Sequence, residues 1–371
     1  MSENQDDEMF ISFSRAITQK AFSQESFSIH MIAESDMLKT NRPKKTLFSE
    51  AATKSHHFPV FRKTNRQNAP LYVARIANAR IFSRLWYVAN QQNMIISESL
   101  PQKYRNQISI SEISNKIFAQ NFTPLDGSYI LSGHESTDNY FHWHIDCLSA
   151  ILLSLDENPK AKILYEKLNR WQRASLSHLG IRDDMLAEMP NRAVAVSELL
   201  WASPLRRDQF LMNDIVCKVF SKIKESVSRS PGVTTSGAEK IYVARTDSKN
   251  RKLLNEDALI EKLSSIGYKI LVPSQVSYED QVMCFANAKN VVGLHGAGLT
   301  NIGFTPKECN LIEIFPDSYM NTGFYGMVQV TQNPYYFYSK SSTSGPIKAN
   351  HQPDYWTIDI DDFIQEYKDI L

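Results

Sequence analysis

Short apolar runs alternate with stretches of helical period over residues 240–315 of this 371-residue chain. Alternation of this kind predicts strands separated by helices, and thus a parallel, doubly wound sheet. The expected strands are 240–244, 268–272, 290–294 and 310–315, and the expected helices are 255–266, 277–288 and a short one from Gly298 to Phe304. The aromatic run 335–338 is expected to be a buried strand, and the last pattern of helical period covers 358–371.

The first part of the chain has a less regular pattern. Residues 1–70 are polar and are expected to be a partly ordered lead-in with a helix near 11–24. Apolar or β-branched runs beyond it predict strands, whereas apolar residues at helical spacing predict helices. The expected strands are 71–74, 86–88, 94–96, 129–131 and 192–201, and the expected helices are 101–119, 138–156, 160–179 and 207–229.

These elements predict an α/β protein with two domains, since single cores rarely grow beyond ~250–300 residues. The N-terminal domain is expected over 71–205 and is expected to be completed by the helix at 358–371. The C-terminal domain is expected over 206–345.

Composition narrows the class of protein. The chain is 42% hydrophobic with a net charge of +1, which does not favour a disordered chain or a nucleic-acid partner. Its four cysteines form no CxxC pair, so reduced thiols are expected. The acidic N-terminus is unlike a signal peptide and no window is apolar enough to span a membrane, so we expect a cytoplasmic protein that meets membranes only peripherally. No pattern indicates an oligomeric state.

Candidate chemistry begins at the strand that ends with Gly293 and Leu294. The residues that follow, His295, Gly296, Ala297, Gly298, Leu299, Thr300 and Asn301, form a glycine-bearing turn before a helix. Main-chain N–H groups and a helix N-terminus at the carboxyl end of a parallel strand favour an anion, and an imidazole can donate to it. The alternative is a tight turn in which His295 is merely a satisfied polar residue.

The context of this turn resembles a known family. The residues HGAGLTN at 295–301, Phe304, the strand LIEIFP at 311–316 and the segment YVAR at 242–245 resemble the pattern of glycosyltransferase family 61. The resemblance implies a GT-B-like architecture, with two Rossmann-like domains and a cleft between them. It also implies inverting, metal-independent transfer of a sugar from a nucleotide sugar, without a cofactor.

The family includes capsule-type bacterial enzymes, so the resemblance implies a UDP-sugar donor by default. The lack of an apolar window that could span a membrane and the few cysteines favour a glycan or lipid-linked glycan acceptor, in the synthesis of bacterial capsule, lipopolysaccharide or another surface polysaccharide. The resemblance makes the residues of the turn, His295, Gly296, Ala297, Gly298, Leu299 and Asn301, the expected donor-binding residues.

Two arginines and a glutamate complete the expected donor site. Arg245 follows strand 240–244 and Arg251 lies six residues later; guanidinium groups suit phosphate oxygens and neutralise a leaving diphosphate. Their alternative is ordinary surface charge. Glu313 is expected to contact ribose hydroxyls, or else to be a charge at the end of a strand. The loop 317–326 is expected to cover the sugar.

The stretch 139–146 carries an aromatic-His-Trp-x-x-Asp pattern that also resembles the family, and the resemblance makes it the expected acceptor side. His142 and Asp146 lie four residues apart, on one face of the predicted helix, where Asp146 or His142 can act as general base. Two alternatives stay open. His142 and His144 form a His-x-His pair of the kind that holds a hydrolytic metal, or the polar residues only cap the helix. A non-catalytic nucleotide- or glycan-binding protein of the same fold is a further alternative.

Overall fold

The computed structural model describes most of the chain. The described residues are 10–11, 23–24, 27–33, 37–39, 41–48, 60–61, 65–67, 70–83, 86–99, 121–133, 136–203, 212–232, 237–248, 250–347 and 353–371. The helix predicted over 101–119 lies outside them, as does the helix predicted near 11–24 apart from its ends, which are in strands.

The described residues form a mixed α/β structure. Its strands are β1 (Phe10–Ile11), β2 (Ser23–Gln24), β3 (Phe27–Ala33), β4 (Met37–Lys39), β5 (Lys45–Phe48), β6 (Asn65–Gln67), β7 (Leu71–Phe82), β8 (Tyr87–Ala89), β9 (Ile95–Ile96), β10 (Thr123–Leu131), β11 (Lys162–Tyr165), β12 (Leu186–Glu188), β13 (Ala193–Ala202), β14 (Lys240–Val243), β15 (Lys252–Leu253), β16 (Lys269–Leu271), β17 (Asn290–Leu294), β18 (Asn310–Ile314), β19 (Tyr335–Ser339), β20 (Ser341–Ile347) and β21 (Pro353–Ile358).

The helices lie mainly in the second half of the chain. They are α1 (Tyr140–His142), a π-helical turn (Trp143–Cys147), α2 (Leu148–Glu157), α3 (Arg170–His178), α4 (Ile215–Ser228), α5 (Glu256–Ser265), α6 (Tyr278–Ala286), α7 (Gly323–Thr331) and α8 (Ile360–Tyr367), with 3₁₀ turns at Ser97–Ser99, Asp183–Met185, Pro273–Gln275 and Ala297–Phe304. No helix of the described residues has both the length and the apolar character of a membrane span.

The chain divides into two compact units. Unit 1 consists of Met1–Asp36 and Ala69–Leu205, and unit 2 consists of Met37–Asn68 and Arg206–Leu371. The segment 1–70 is therefore not a separate lead-in: β1, β2 and β3 belong to the main sheet of unit 1 and β5 to that of unit 2, while β4 and β6 pair with each other. β3 pairs with β7 in unit 1, and β5 pairs with β19 in unit 2.

Unit 1 is built on a mixed sheet. Its strand order is β1-β9-β8-β7-β13-β10-β11-β12, with β3 also paired to β7. β13, β10, β11 and β12 run parallel to one another, whereas β7 pairs antiparallel with β13. Strand β7 is long because its β-branched and aromatic residues are buried along most of its length, as central strands require.

The helix predicted over 160–179 is wrong in its first half. Ile163 and Leu164 lie in β11, and a short apolar run fits a buried strand as well as a helix. The helix begins only at Arg170, because Asn169 and Gln172 form a reciprocal capping box that fixes its N-terminus.

Unit 2 contains the predicted parallel sheet. Its order is β16-β14-β17-β18-β19-β5, and every neighbouring pair is parallel. One face of this sheet packs on α5 and α8 through an apolar cluster that includes Tyr242, Val292, Ile312, Leu259 and Phe363. The sheet therefore brings the loops after β14 and β17 to the same edge.

The C-terminal helix corrects one expectation. Phe363 and Tyr367 of α8 are buried against Tyr338 of β19, so α8 belongs to unit 2 and does not complete the N-terminal domain. A smaller correction concerns 317–326, where the expected loop ends at Thr322. Helix α7 begins at Gly323 and buries Phe324 and Tyr325.

The packing of α8 predicts a measurable loss of stability. Phe363→Ala removes a fully buried ring and is expected to lower the free energy of unfolding by about 3–5 kcal/mol in urea titrations. Gln365→Ala is the matched control, since Gln365 is exposed on the same helix and alanine favours helix. Equal stability of the two variants would contradict this packing.

Candidate active site

The loop after β17 packs closely against the sheet because its glycines have no side chains. A Cβ on Gly293 would lie 2.6 Å from Cδ2 of Leu299, and one on Gly298 would lie 3.0 Å from both Val243 and Pro273. The 3₁₀ helix Ala297–Phe304 can therefore pack directly on β14 and β17. The short helix predicted here is present, although it is a 3₁₀ helix.

Gly296 makes room for Arg245. A Cβ at this position would lie 2.7 Å from Nε of Arg245, so the guanidinium rests directly on the main chain of the loop. Any larger residue would displace the arginine or the loop.

Arg245 and Arg251 converge on one acceptor, the main-chain carbonyl of His295. Nη1 of Arg245 donates to it at 2.9 Å, and Nη2 of Arg251 donates at 3.3 Å. Burial, and then the neighbouring charge of Arg251, lowers the pKa of Arg245 to about 10. The two cations are therefore held close together despite their repulsion. Neighbouring cations of this kind are typical of a site that binds an anion.

Two groups of contacts position Arg245. Its main-chain N–H donates to Oε1 of Glu256 at 2.7 Å, and the Tyr242 hydroxyl donates to the same oxygen at 3.1 Å. Nη2 of the arginine donates to Oγ of Ser248 at 2.8 Å. No carboxylate among the described residues lies within ion-pair distance of this guanidinium, so its charge is not neutralised by a direct partner.

Arg251 is positioned from a distant part of the chain. Its φ angle is 52°, in the left-handed region that costs a non-glycine residue about 1 kcal/mol or more. The indole Nε1 of Trp356 donates to the Arg251 carbonyl at 2.9 Å, and β15 pairs with β21 beside it. The guanidinium lies 5.0 Å from the ring centroid of Tyr319, which is cation–π geometry.

Glu313 is not placed to bind ribose, which corrects that expectation. Its side chain has no exposed surface. Oε1 lies 2.5 Å from Nδ1 of His295, and Oε2 accepts a hydrogen bond from the Tyr335 hydroxyl at 2.6 Å. Glu313 therefore acts on His295 rather than on a ligand.

His295 is enclosed by aromatic rings and positive charge. Its ring stacks on Phe315 at 4.7 Å and touches Tyr319 and Phe324, each with centroids 5.5 Å away. Burial, followed by Arg251 and Arg245, lowers the pKa of the imidazole well below its usual value. Burial raises the pKa of Glu313, against the opposing effects of Tyr335 and Arg251.

Leu299 and Asn301, both expected to bind donor, are buried supports of the loop. Leu299 packs on Gly293, and its main-chain N–H donates to the Gly296 carbonyl at 3.0 Å. Nδ2 of Asn301 donates to Gln281 at 3.1 Å and to the Gly298 carbonyl at 3.2 Å. Neither side chain is exposed, so the ligand-facing part of the motif is restricted to residues 295–298.

In unit 1, His142 and Asp146 are in contact as expected. Nδ1 of His142 lies 2.9 Å from Oδ2 of Asp146, and both side chains keep some exposed surface. The helix changes from α to π geometry between them, with the Leu148 N–H bonded to the carbonyl of Trp143. Single π turns inside α-helices are frequent at functional sites. The side chain of Asn139 caps the first turn.

His144 does not form a metal pair with His142. It is fully buried, its Nδ1 bonds to the Tyr140 carbonyl at 2.8 Å, and its ring stacks on Trp171. Burial lowers its pKa to about 4, so this histidine is neutral at physiological pH. Within the described ranges, no three His, Cys, Asp or Glu side chains are grouped as metal ligands.

Glu256, Tyr335 and Trp356 complete the site, and the sequence did not identify them as site residues. Glu256 lies in the first turn of α5, and Tyr335 lies in the aromatic run 335–338 that predicted a buried strand. Trp356 is separated by about a hundred residues from the arginine that it holds. Only the register of the folded strands brings these side chains to the loop.

Comparison with known proteins agrees with the resemblance in the sequence. The sequence model described as Glycosyltransferase 61 matches residues 140–312. The chain is also 33% identical over 72 residues to alpha-1,3-arabinosyltransferase XAT3 of Oryza sativa subsp. japonica; the aligned part is 18% of this chain and 12% of that protein. The part of the chain that is similar to glycosyltransferase family 61, residues 140–312, contains both arginines, the 295–301 loop and the His142–Asp146 pair.

Proposed function

We propose that this protein is a glycosyltransferase that takes its sugar from a nucleoside diphosphate sugar bound at the loop 295–298. The observation that carries this proposal is the convergence of the Arg245 and Arg251 guanidiniums on the His295 carbonyl. Two buried cations without a direct carboxylate for Arg245 are an unfavourable arrangement unless an anion completes it. A diphosphate is an anion with enough charge and enough oxygen acceptors for both.

The chemistry of transfer requires this charge. As the bond between the anomeric carbon and the diphosphate oxygen breaks, negative charge builds up on the leaving diphosphate. Arg245 and Arg251 are fixed in advance beside the loop, so they can stabilise that charge without moving first. We propose on this basis that the reaction needs no metal ion and that UDP is the default nucleotide.

The acceptor side is proposed for unit 1. An acceptor hydroxyl attacks the anomeric carbon, its oxygen forms the new bond, the diphosphate leaves from the opposite face, and the configuration inverts. Asp146, held by His142, takes the hydroxyl proton. The acceptor is proposed to be a glycan or lipid-linked glycan of a bacterial surface polysaccharide. The GT-B arrangement and the cytoplasmic location stay predictions of the sequence.

Binding of nucleotides tests the donor site. Calorimetric titration with UDP, GDP, ADP and CMP, with and without EDTA, is expected to give binding of one diphosphate that EDTA does not change. Arg245→Ala should weaken that binding about 10- to 100-fold, because a hydrogen bond to a charged group contributes ~1.5–3 kcal/mol. Gly296→Ala should also weaken it, since the new Cβ displaces the guanidinium.

Arg229→Ala is the matched control for these titrations. It removes a guanidinium of the same unit whose side chain is 75% exposed, and it should leave affinity unchanged. Unchanged affinity in Arg245→Ala, or binding that is lost with EDTA, would contradict the proposed donor site.

Asp146→Asn tests the acceptor side. The variant is expected to lower the rate of sugar transfer about 10²- to 10⁴-fold, since the amide cannot accept the proton, while nucleotide affinity stays near that of the parent. Asp183→Asn is the control, because the Asp183 side chain is 98% exposed in the same unit. An Asp146→Asn protein with full transfer rate would remove this residue as the base.

A further inference from the structure

The Glu313–His295 pair has no role in the proposed function so far, although it lies directly beneath the donor loop. Glu313 is fully buried, and both of its carboxylate oxygens are occupied, one by His295 Nδ1 and one by the Tyr335 hydroxyl. It therefore cannot touch a ligand itself. Burying a carboxyl group in the centre of a sheet costs free energy. Because Tyr335 occupies its second oxygen, Glu313 can influence a ligand only through the imidazole of His295.

The ring of His295 has one nitrogen left for a ligand. Nδ1 is engaged by Glu313, and no described residue forms a hydrogen bond with Nε2. The histidine side chain keeps 9% of its surface exposed. Stacking on Phe315 fixes the plane of the ring, so rotation that would exchange the two nitrogens is opposed by packing as well as by the bond to Glu313.

The charges around the pair oppose each other. Arg245 and Arg251 face it from the loop after β14, Glu313 from β18, Tyr319 from the segment after β18, and Tyr335 from β19. Burial favours a neutral carboxyl group on Glu313, whereas the two guanidiniums favour the form of the pair with fewest protons. Above the pKa of the pair, that form has an ionised Glu313 and a neutral His295 with its hydrogen on Nδ1. Nε2 then carries a lone pair and would repel a phosphate oxygen.

A bound diphosphate reverses this balance. Its negative charge cancels the effect of the two guanidiniums on the imidazole, so the pair can accept a proton from solvent. That proton gives Nε2 a hydrogen to donate to a phosphate oxygen. Nδ1 stays bonded to Glu313 whichever of the two atoms holds the inner proton.

We propose, building on the proposed function, that Glu313 is a positioning residue for His295, and that binding of the donor diphosphate draws one proton from solvent into the Glu313–His295 pair. His295 then contacts the diphosphate through Nε2–H. Tyr335 assists by holding the second carboxylate oxygen. The class of ligand is a nucleoside diphosphate or its sugar, and the linked proton makes its binding dependent on pH.

Calorimetry measures this proton directly. UDP, or GDP or ADP if one of these binds instead, is titrated into the full-length protein in two buffers that differ in ionisation enthalpy. The series covers about pH 7.5–9.5, above the ionisation of a terminal phosphate near roughly pH 6. Uptake is expected to rise toward one proton in the part of this range that lies above the pKa of the free pair, and affinity should fall there by up to about tenfold per pH unit, because proton uptake on binding makes affinity decrease as pH rises.

Two variants assign the proton to the pair. Glu313→Gln keeps the shape and hydrogen-bonding capacity of the side chain, and uptake should fall close to zero while UDP still binds. Tyr335→Phe removes a bond that stabilises the carboxylate, so the uptake profile should move to higher pH. Glu261→Gln, an exposed change in the same unit, is the control and should keep the parent profile.

The outcomes separate this inference from the proposed function. UDP binding without proton uptake, or equal uptake in the parent and Glu313→Gln proteins, overturns the inference and leaves the proposed donor site intact. An unshifted profile in a folded Tyr335→Phe protein removes Tyr335 from it. If the parent protein binds no diphosphate nucleotide, the proposed function and this inference are both overturned.

Discussion

The loop 295–298 depends on the main-chain carbonyl of His295, because two buried guanidinium groups share it. Each nearby feature of the sequence has a physical reason in this arrangement. Gly296 lacks a Cβ where Arg245 must pass, and Gly293 and Gly298 let the 3₁₀ helix lie on the sheet. Glu256 fixes the main chain of Arg245, and Trp356 holds that of Arg251. Together these contacts offset the free-energy cost of holding two like charges close to each other.

Much of unit 2 could be predicted from the sequence, because its strands and helices alternate with clear periods. The strands at 290–294 and 310–315, the helices near 255 and 278, and the turn at 295–298 all lie where expected. Arg245, Arg251 and His295 were predicted to lie close together, and the order of parallel strands is sufficient to place them so. The short contact of His142 with Asp146 followed from helical spacing alone.

What the sequence did not predict depends on contacts between distant segments. Glu313 was expected to face ribose, since an acid at the end of a strand often does, but its burial is decided by Tyr335 on the neighbouring strand. Asn301 and Leu299 share a motif with the glycines of the turn, yet they point into the core. The unit to which α8 belongs depends on which sheet packs against Phe363. No local sequence pattern indicates which sheet this is.

The edge strand β5 gives unit 2 an unusual order of assembly. Lys45 pairs with Tyr336, roughly 290 residues later, and contacts between such distant residues are slow to form. The same lysine forms an ion pair with Glu366 of α8 at 2.9 Å. At a synthesis rate of about 5–20 residues per second, β5 leaves the ribosome well over ten seconds before either partner exists. The main-chain groups of β5 lack their native partner throughout that interval, which makes this strand a point of aggregation risk during synthesis.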